Sequence, residues 1–143
     1  MPDADLPVQV KHIGGFAFIA ADEEGHSIVV DVPKDPDGRS LGFAPTRLLL
    51  ASLAACTGMD VVQVLGKRRI RFDSLVIHAG GEQASGYPAY FTKIRLKYEI
   101  RGKDVPDDEV NRAIQLSKDA YCSVGATLDG KAEIETSYEI IRE

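Results

Sequence analysis

The sequence predicts an α+β fold in one domain over residues 1–143, with the element order βββ-α-ββ-α-β. Three observations lead to this prediction. Short stretches of alternating apolar and polar residues lie between glycine-containing turns, which is typical of strands. Residues 48–59 form an apolar run without a charge, which indicates a buried helix. Strands and helices come in groups rather than in strict alternation, which excludes a doubly wound nucleotide-binding fold.

The first third of the chain predicts three strands. Residues 7–12 alternate between apolar and polar side chains and are followed by a pair of glycines. Residues 16–21 and 27–32 form the next two strands, because the acidic, glycine-ending segment between them favours a hairpin. An antiparallel meander is the simplest arrangement. Residues 33–44 contain two prolines and two glycines, which predicts a surface loop.

A long helix is predicted over residues 45–67, with a length of about 34 Å at 1.5 Å per residue. Pro45 suits its first turn, because the N–H that proline lacks would have no partner there. The first half of the helix is apolar nearly all round, so it must be covered on every side. The short strands and the one other helix cannot supply that cover alone. We therefore expect a long buried central helix that forms the shared core of a homodimer.

The second half of the chain predicts a further pair of strands, a helix, a helical turn and a last strand. In order these are residues 72–82, 90–102, 106–122, 123–128 and 131–141. The second helix starts at Pro106, where three acidic residues favour the positive end of the helix dipole. Its buried face is expected to run as far as Tyr121, with the helix ending near Cys122.

Composition narrows the function classes. The net charge of −5 argues against nucleic acid or an anionic membrane as partner. The one basic cluster, residues 67–71, is interpreted as a solvated helix exit. The apolar run is short for a membrane span, and the acidic N-terminus lacks the features of a signal peptide, so a cytoplasmic location is expected. No phosphate loop and no metal-ligand spacing of the three histidines is present, so no cofactor and no metal are expected.

The two cysteines differ in their sequence surroundings. Cys56 lies within the apolar helix, where water should be scarce, and Cys122 lies where an amphipathic segment ends. Two thiols can act as a nucleophile and its resolving partner, because a sulfenic acid formed on one is captured by the other. The alternative is that both only fill space, since free cysteine is among the most buried residue types.

The segments around both cysteines carry a family resemblance. Leu-Leu-Leu-Ala-Ser-Leu-Ala-Ala-Cys56-Thr57 and Tyr121-Cys122-Ser123-Val124, in this element order, resemble the OsmC/Ohr family of osmotically inducible and organic hydroperoxide resistance proteins, and look closest to an OsmC-like branch. The resemblance implies an intertwined homodimer that acts in the oxidative stress response. It also implies that Cys56 attacks a small hydrophobic peroxide, that Cys122 closes a disulfide, and that a thiol or lipoyl group restores the reduced form.

The sequence departs from the family pattern around the attacking thiol. In the peroxidase members an arginine from the N-terminal strands is held by a glutamate near the start of the long helix. Here no arginine precedes Arg39, and Arg47 stands where the closest branch usually has glutamate. Arg39, or Arg47 from the partner subunit, is a candidate to activate the thiol, while the charge of Asp60 opposes a thiolate. Tyr121 is expected to position Cys122.

Two other functions remain open at this stage. One alternative is that the dimer holds a hydrophobic ligand in an apolar pocket at its interface and that the cysteines have no role in the function. The dimer could also sense redox state without catalytic turnover. A peroxidase differs from both by consuming peroxide through Cys56.

Overall fold

The computed structural model describes residues 5–33 and 39–143. The chain divides into two units, Met1–Leu49 and Leu50–Glu143. The single-domain organisation expected from the sequence stays a prediction. The arrangement is a mixed α+β fold with two three-stranded sheets, which confirms the predicted fold class.

The first unit contains an antiparallel meander, as predicted. Its strands follow in the order β1, β2, β3 and are Val8–Gly14, Ala17–Asp22 and Ser27–Val30. The turn between β2 and β3 is held by Asp22, whose carboxylate accepts the backbone N–H groups of Glu24 and His26, both at 2.9 Å. Gly25 in this turn has a φ of 89°, a left-handed conformation that favours glycine. Local chemistry therefore determines this hairpin.

Helix α1 spans Pro45–Lys67, the range predicted from the sequence. It ends because Arg69 takes the left-handed conformation, with a φ of 57°. The N–H of Arg69 then bonds to the carbonyl of Gly66 at 2.9 Å, and that of Ile70 to the carbonyl of Leu65 at 3.0 Å. This is the pattern of a Schellman motif, which satisfies carbonyls at a helix end. By length and composition α1 could cross a membrane, a criterion that the core helix of a soluble protein also meets.

The sheet of the second unit has β5 at its centre. Its strands β4, β5 and β6 are Ser74–Gln83, Phe91–Arg101 and Glu133–Ile141. β4 pairs with β5 in antiparallel orientation, and β6 pairs with β5 in parallel orientation. A parallel neighbour requires a crossover, which is formed by α2 (Asp107–Leu116), a π-helical turn (Ser117–Tyr121) and α3 (Ser123–Leu128). The sequence predicted the strands but not this parallel pairing.

One face of β5 and one side of α1 form the core of the second unit. The fully buried residues from the sheet, α1 and α2 include Ile94, Leu96, Tyr98, Ile100, Leu53, Val61, Leu65, Val110, Ala113 and Ile114. On the opposite side of α1, Met59 is 71% and Val62 is 48% exposed. Within the second unit the apolar surface of α1 is therefore buried on one side, whereas these two large apolar residues of the other side are exposed.

The structure corrects two element boundaries. The second helix does not run as an α-helix to Cys122, because α2 ends at Leu116 and a π-helical turn follows. The last strand begins at Glu133 rather than at residue 131. The N–H groups of Lys131 and Ala132 are still bonded to the carbonyl of Leu128, at 3.1 and 3.2 Å, so these residues belong to the preceding turn.

Candidate functional site: a thiol pair beside a hydroxyl chain

Both cysteines belong to the second unit and both are free thiols. Their burial reverses the expectation from the sequence. Cys56 on α1 is half-buried, whereas Cys122 is only 6% exposed. Cys56 packs against the edge of the hydrophobic core, whereas Cys122 is part of the core itself. The thiol that water reaches more easily in this chain is thus Cys56.

The π-helical turn before Cys122 determines where that thiol points. The backbone N–H of Cys122 bonds to the carbonyl of Ser117 at 2.9 Å, five residues back, which is the defining bond of a π-helix. Cys122 then adopts an extended conformation and caps α3, its sulfur accepting the N–H of Gly125 at 3.3 Å. The wider turn also rotates Tyr121 outward, so that it is 57% exposed instead of continuing the buried face as predicted.

The surroundings keep the Cys122 thiol protonated. Burial raises its pKa to about 11, and the neighbouring Cys56 and Asp60 raise it as well. The N–H of Gly125 acts in the opposite direction but does not outweigh burial. At neutral pH Cys122 is therefore a neutral thiol. Because the Cys56 side chain acts on it directly, the two sulfur-bearing side chains are neighbours although 66 positions (122 − 56) separate them in the sequence.

A chain of hydroxyl groups crosses the core next to Cys122. The Tyr98 hydroxyl lies 2.8 Å from Thr57 Oγ1, which lies 2.8 Å from Ser117 Oγ, and Ser117 Oγ lies 2.8 Å from Asp60 Oδ2. The geometry makes the Ser117 hydroxyl the donor toward both Thr57 Oγ1 and Asp60 Oδ2, so its single proton is shared between these two acceptors. Between Thr57 and Tyr98 either hydroxyl can donate. The three hydroxyl groups and the Asp60 carboxylate therefore form one connected hydrogen-bonded chain from the sheet to α1.

This chain of hydroxyl groups was not predicted from the sequence. Its members come from β5, α1 and the π-helical turn, and no spacing in the sequence relates them. One signal was available, because Thr57 and Ser117 are polar residues on otherwise apolar helical faces. Buried polar groups need partners, so such positions indicate a hydrogen-bonded cluster.

Cys122 also lies in the wall of a cavity of about 460 Å³, here called the thiol cavity. The wall is formed by Leu53, Thr57, Leu96, Tyr98, Ser117, Lys118, Asp119, Cys122, Gly125, Ala126, Asp129, Ala132, Glu133, Ile134 and Thr136. Its inner part combines aliphatic side chains with the hydroxyl-bearing residues Thr57, Tyr98 and Ser117, and its rim carries charged residues. Cys56 is not among the lining residues, so this opening leads to one of the two thiols only.

A second opening of about 510 Å³ lies at the C-terminal end of α1, where the basic cluster was found in the sequence. It is lined by Asp60, Gln63, Val64, Lys67, Arg68, Arg112, Leu116 and Tyr121. Arg68 forms a bidentate ion pair with Glu109, in which Nη2 and Nε of the arginine donate to the two carboxylate oxygens at 2.6 and 3.1 Å. The interpretation as a solvated helix exit is incomplete, because one arginine of the cluster links α1 to α2.

The two arginines considered as thiol activators lie in the first unit. Arg39 is exposed, and part of the loop before it lies outside the described residues. Arg47 is exposed on the first turn of α1, beside a cavity of about 730 Å³ with Pro33, Phe43 and other loop residues. Within residues 50–143 no hydrogen bond or ion pair joins a cationic side chain to either sulfur. A role for Arg39 or Arg47 stays a prediction.

Among the described residues, one group of side chains resembles a set of metal ligands, and it lies in the β2–β3 hairpin of the first unit. Asp22, Glu24 and His26 offer ligand atoms within 4.8 Å of one another. All three are exposed, and the Nδ1 atom of His26 lies 2.9 Å from Asp22 Oδ2. The cluster is explained by the hydrogen bonds of the turn.

Comparison with known proteins decides the family. The family model for OsmC-like protein matches residues 36–137, which is well over half of the chain. The chain belongs to the OsmC-like family. It is 32% identical to Protein YhfA of Escherichia coli (strain K12) over 138 residues, covering 95% of this chain and 98% of that one.

Solved structures agree with the family at the level of the fold. A hypothetical protein from Aquifex aeolicus VF5 is 27% identical, with a TM-score of 0.82 over 93% of each chain. The organic hydroperoxide resistance protein OhrB of Bacillus subtilis is 17% identical, with a TM-score of 0.67 over 95% of this chain and all of that one (100%). The second likeness shows a shared fold alone. This OsmC-like chain therefore has the fold on which organic hydroperoxide resistance proteins are also built.

Proposed function

We propose that this OsmC-like protein is a thiol-dependent peroxidase that reduces organic hydroperoxides through a sulfenic acid on Cys56 that Cys122 resolves. The observation that carries the proposal is that Cys56 packs against the core cluster that contains Cys122 and raises the pKa of the Cys122 thiol. Family membership adds support, because some relatives by fold are named organic hydroperoxide resistance proteins. A role in the oxidative stress response in the cytoplasm follows as part of the same proposal.

The reaction has two steps. The Cys56 thiolate bonds to the terminal oxygen of the hydroperoxide while the O–O bond breaks, and the alkoxide takes up a proton and leaves as an alcohol. The sulfur of Cys122 then bonds to the sulfur of Cys56 while the S–O bond breaks. The departing hydroxide takes the proton of Cys122 and leaves as water. The products are an alcohol, water and a Cys56–Cys122 disulfide.

The contrast between the two thiols supports this division of roles. Cys122 is buried, and its raised pKa keeps it protonated, so it is a poor nucleophile toward peroxide in solution. The charge of Asp60 nearby acts against a thiolate at Cys122. Cys56 is more exposed and is the thiol that a substrate reaches first. Activation of Cys56 is proposed to come from Arg39 or from Arg47 of a second protomer.

A homodimer is part of the proposal. Met59 and Val62 on α1 are large apolar residues that the chain itself leaves exposed. A second copy that packs its own α1 against this side would cover them and would form an apolar environment next to Cys56. This environment favours a small hydrophobic peroxide over hydrogen peroxide as substrate.

The test is a peroxide assay with mass analysis of peptides. Cumene hydroperoxide should be consumed in the presence of a thiol, and one equivalent without thiol should link Cys56 to Cys122. Cys56→Ser should abolish both results. Cys122→Ser should still react once and leave a sulfenic acid that dimedone labels. Unchanged peroxide decay in Cys56→Ser, together with no disulfide in the wild type, would contradict the proposal.

A second candidate function rests on the thiol cavity. The cavity has a volume of about 460 Å³, and its inner wall combines aliphatic side chains with a few hydroxyl groups, which is the lining of a site for a small, mainly apolar molecule. The alternative function is therefore the binding of a hydrophobic ligand without catalysis. Native mass spectrometry distinguishes the two functions. A copurified ligand of constant mass, retained in Cys56→Ser and unaffected by peroxide, would favour the binding protein.

A further inference from the structure

The thiol cavity reaches only one sulfur of the pair. Cys122 lies in its wall together with Leu53, Tyr98 and Ala126, whereas Cys56 does not line it. We propose that the thiol that reduces the oxidised protein enters this cavity and attacks the sulfur of Cys122, so that Cys56 is released. The proposal rests on the Cys56–Cys122 disulfide of the proposed function, and it assigns to the cavity a separate reductant-binding role.

The proposed step conserves atoms and electrons. The thiolate of the reductant forms a bond to the sulfur of Cys122 while the bond between Cys122 and Cys56 breaks, and Cys56 leaves with the electron pair as a thiolate. A second thiol of the reductant then attacks the mixed disulfide. The reductant leaves as a disulfide, and Cys122 leaves as a thiolate that takes up a proton. The reductant is thus oxidised by two electrons and the protein is reduced by two.

Leaving-group chemistry agrees with the geometry. Thiol–disulfide exchange is slow when the departing sulfur belongs to a thiol of high pKa. Burial raises the pKa of Cys122 to about 11, so an attack on Cys56 would have to expel a poor leaving group. An attack on Cys122 avoids this in the first step. The position of Cys122 in the cavity wall and the chemistry of its thiol therefore favour the same point of attack.

The walls of the thiol cavity define the class of reductant. Leu53, Leu96 and Ile134 supply aliphatic side chains to its inner part, which also carries the hydroxyl-bearing residues described above. Asp119, Asp129, Glu133 and Lys118 line the cavity and are exposed, which gives its rim a formal charge of −2 (1 − 3). An acidic rim repels anionic thiols and favours neutral or cationic ones. The cavity therefore suits a small thiol or dithiol without negative charge.

The point of attack can be identified by trapping. The disulfide is formed with diamide, which does not require peroxidase activity, and the oxidised protein is treated briefly with cysteamine, quenched and alkylated with iodoacetamide. We expect cysteamine on Cys122 and the alkyl group on Cys56. The reverse labelling would overturn the proposal, and so would the absence of a Cys56–Cys122 disulfide after diamide. Failure to consume peroxide, with the expected labelling retained, would contradict only the proposed function.

A variant that narrows the cavity gives an independent test. Ala126→Leu adds volume to the wall and should slow reduction of the diamide-formed disulfide by dithiothreitol roughly tenfold or more, because a misplaced nucleophile reacts far more slowly. Thr127→Leu is the matched control, since Thr127 is exposed on the same helix and does not line the cavity. Equal rates in the two variants would overturn the proposal.

A third experiment tests whether the charge of the cavity rim selects the reductant, by comparing a cationic with an anionic thiol. Cysteamine should reduce the disulfide several-fold faster than 3-mercaptopropionate, after correction for the thiolate fraction of each. The difference should shrink at about 0.5 M salt, where surface charges are screened. Replacement of two rim residues, Asp129→Asn and Glu133→Gln, should have the same effect as salt. Equal rates for the two thiols at low salt would exclude the acidic rim as a determinant of specificity.

Discussion

The two sides of α1 have similar apolar compositions but different environments. One side carries Leu53, Val61 and Leu65, which are fully buried in the core of the second unit. The other side carries Met59 and Val62, which this chain leaves exposed. The difference shows that the hydrophobicity of a helix indicates how much cover it needs but not which side its own chain covers. The polar residues on the buried side, Thr57 above all, are satisfied by the hydroxyl chain.

The largest expected effect is a difference in the free energy of unfolding between variants on the two sides of α1. Leu53→Ala removes a fully buried side chain and should lower the free energy of unfolding by about 2–5 kcal/mol. Met59→Ala changes an exposed position and should cost less than about 1 kcal/mol in the monomer. Urea unfolding at low protein concentration measures both values. Equal costs at that concentration would show that the second side is buried within the monomer.

The next effect concerns what covers the exposed side. If a second copy packs against it, Met59→Glu places a charge in the interface and should weaken the dimer about a hundredfold, equivalent to about 2.7 kcal/mol. Thr127→Glu introduces the same charge on an exposed part of α3 and should leave the dimer intact. Light scattering across a dilution series reports the dimer fraction. A wild-type protein that stays monomeric at high concentration would remove the dimer from the proposed function.

A smaller effect on stability is expected from the thiol of Cys122, which lies in the core that covers the buried side of α1. In the native state the Cys122 thiol has a pKa of about 11, whereas in the unfolded chain it loses its proton near the ordinary thiol pKa of 9.0. Between these values the unfolded state binds fewer protons, so stability falls as the pH rises. This contribution is complete below pH 9 and should decline by about 2 kcal/mol as the pH rises to 11.

The variant Cys122→Ser isolates that contribution, because other groups titrate in the same range. The raised pKa of Tyr98, caused mainly by burial, adds its own pH dependence to both proteins. We therefore expect the wild type to lose more stability than Cys122→Ser between pH 9 and 11 in urea unfolding. Parallel pH profiles would mean that burial does not raise the pKa of this thiol.

The smallest effect compares two glycines of α1. Gly66→Ala meets no neighbouring atom and should stabilise the helix by up to about 1 kcal/mol. Gly58→Ala would place its new methyl group 2.9 Å from Cδ1 of Ile77, so the gain in helix propensity is offset by crowding. Thermal unfolding of the two variants measures the difference. A stabilising Gly58→Ala would show that Ile77 moves aside at little cost.

The parts of the site that are determined by residues close together in the sequence were predictable from the sequence. The range of α1 was correct because a first-turn proline and a long apolar run define it locally. The π-helical turn was missed because nothing in Ser117–Tyr121 distinguishes a π-helical from an α-helical turn. The relative burial of Cys56 and Cys122 was predicted in the wrong order. An apolar run around Cys56 indicates a buried helix, but it does not indicate which side faces the chain's own core.

The sequence by itself determined the order of the elements, the length of α1, the positions of both cysteines within them and membership of the OsmC-like family. These follow from local propensity and from motifs contained in short segments. Only the tertiary structure decided which side of α1 is covered, that β6 lies parallel to β5, and that Tyr98, Thr57, Ser117 and Asp60 form one hydrogen-bonded chain. These depend on packing between residues that lie 40 to 60 positions apart in the sequence. Such packing is selected by the burial of the whole chain, which no single segment of the sequence encodes.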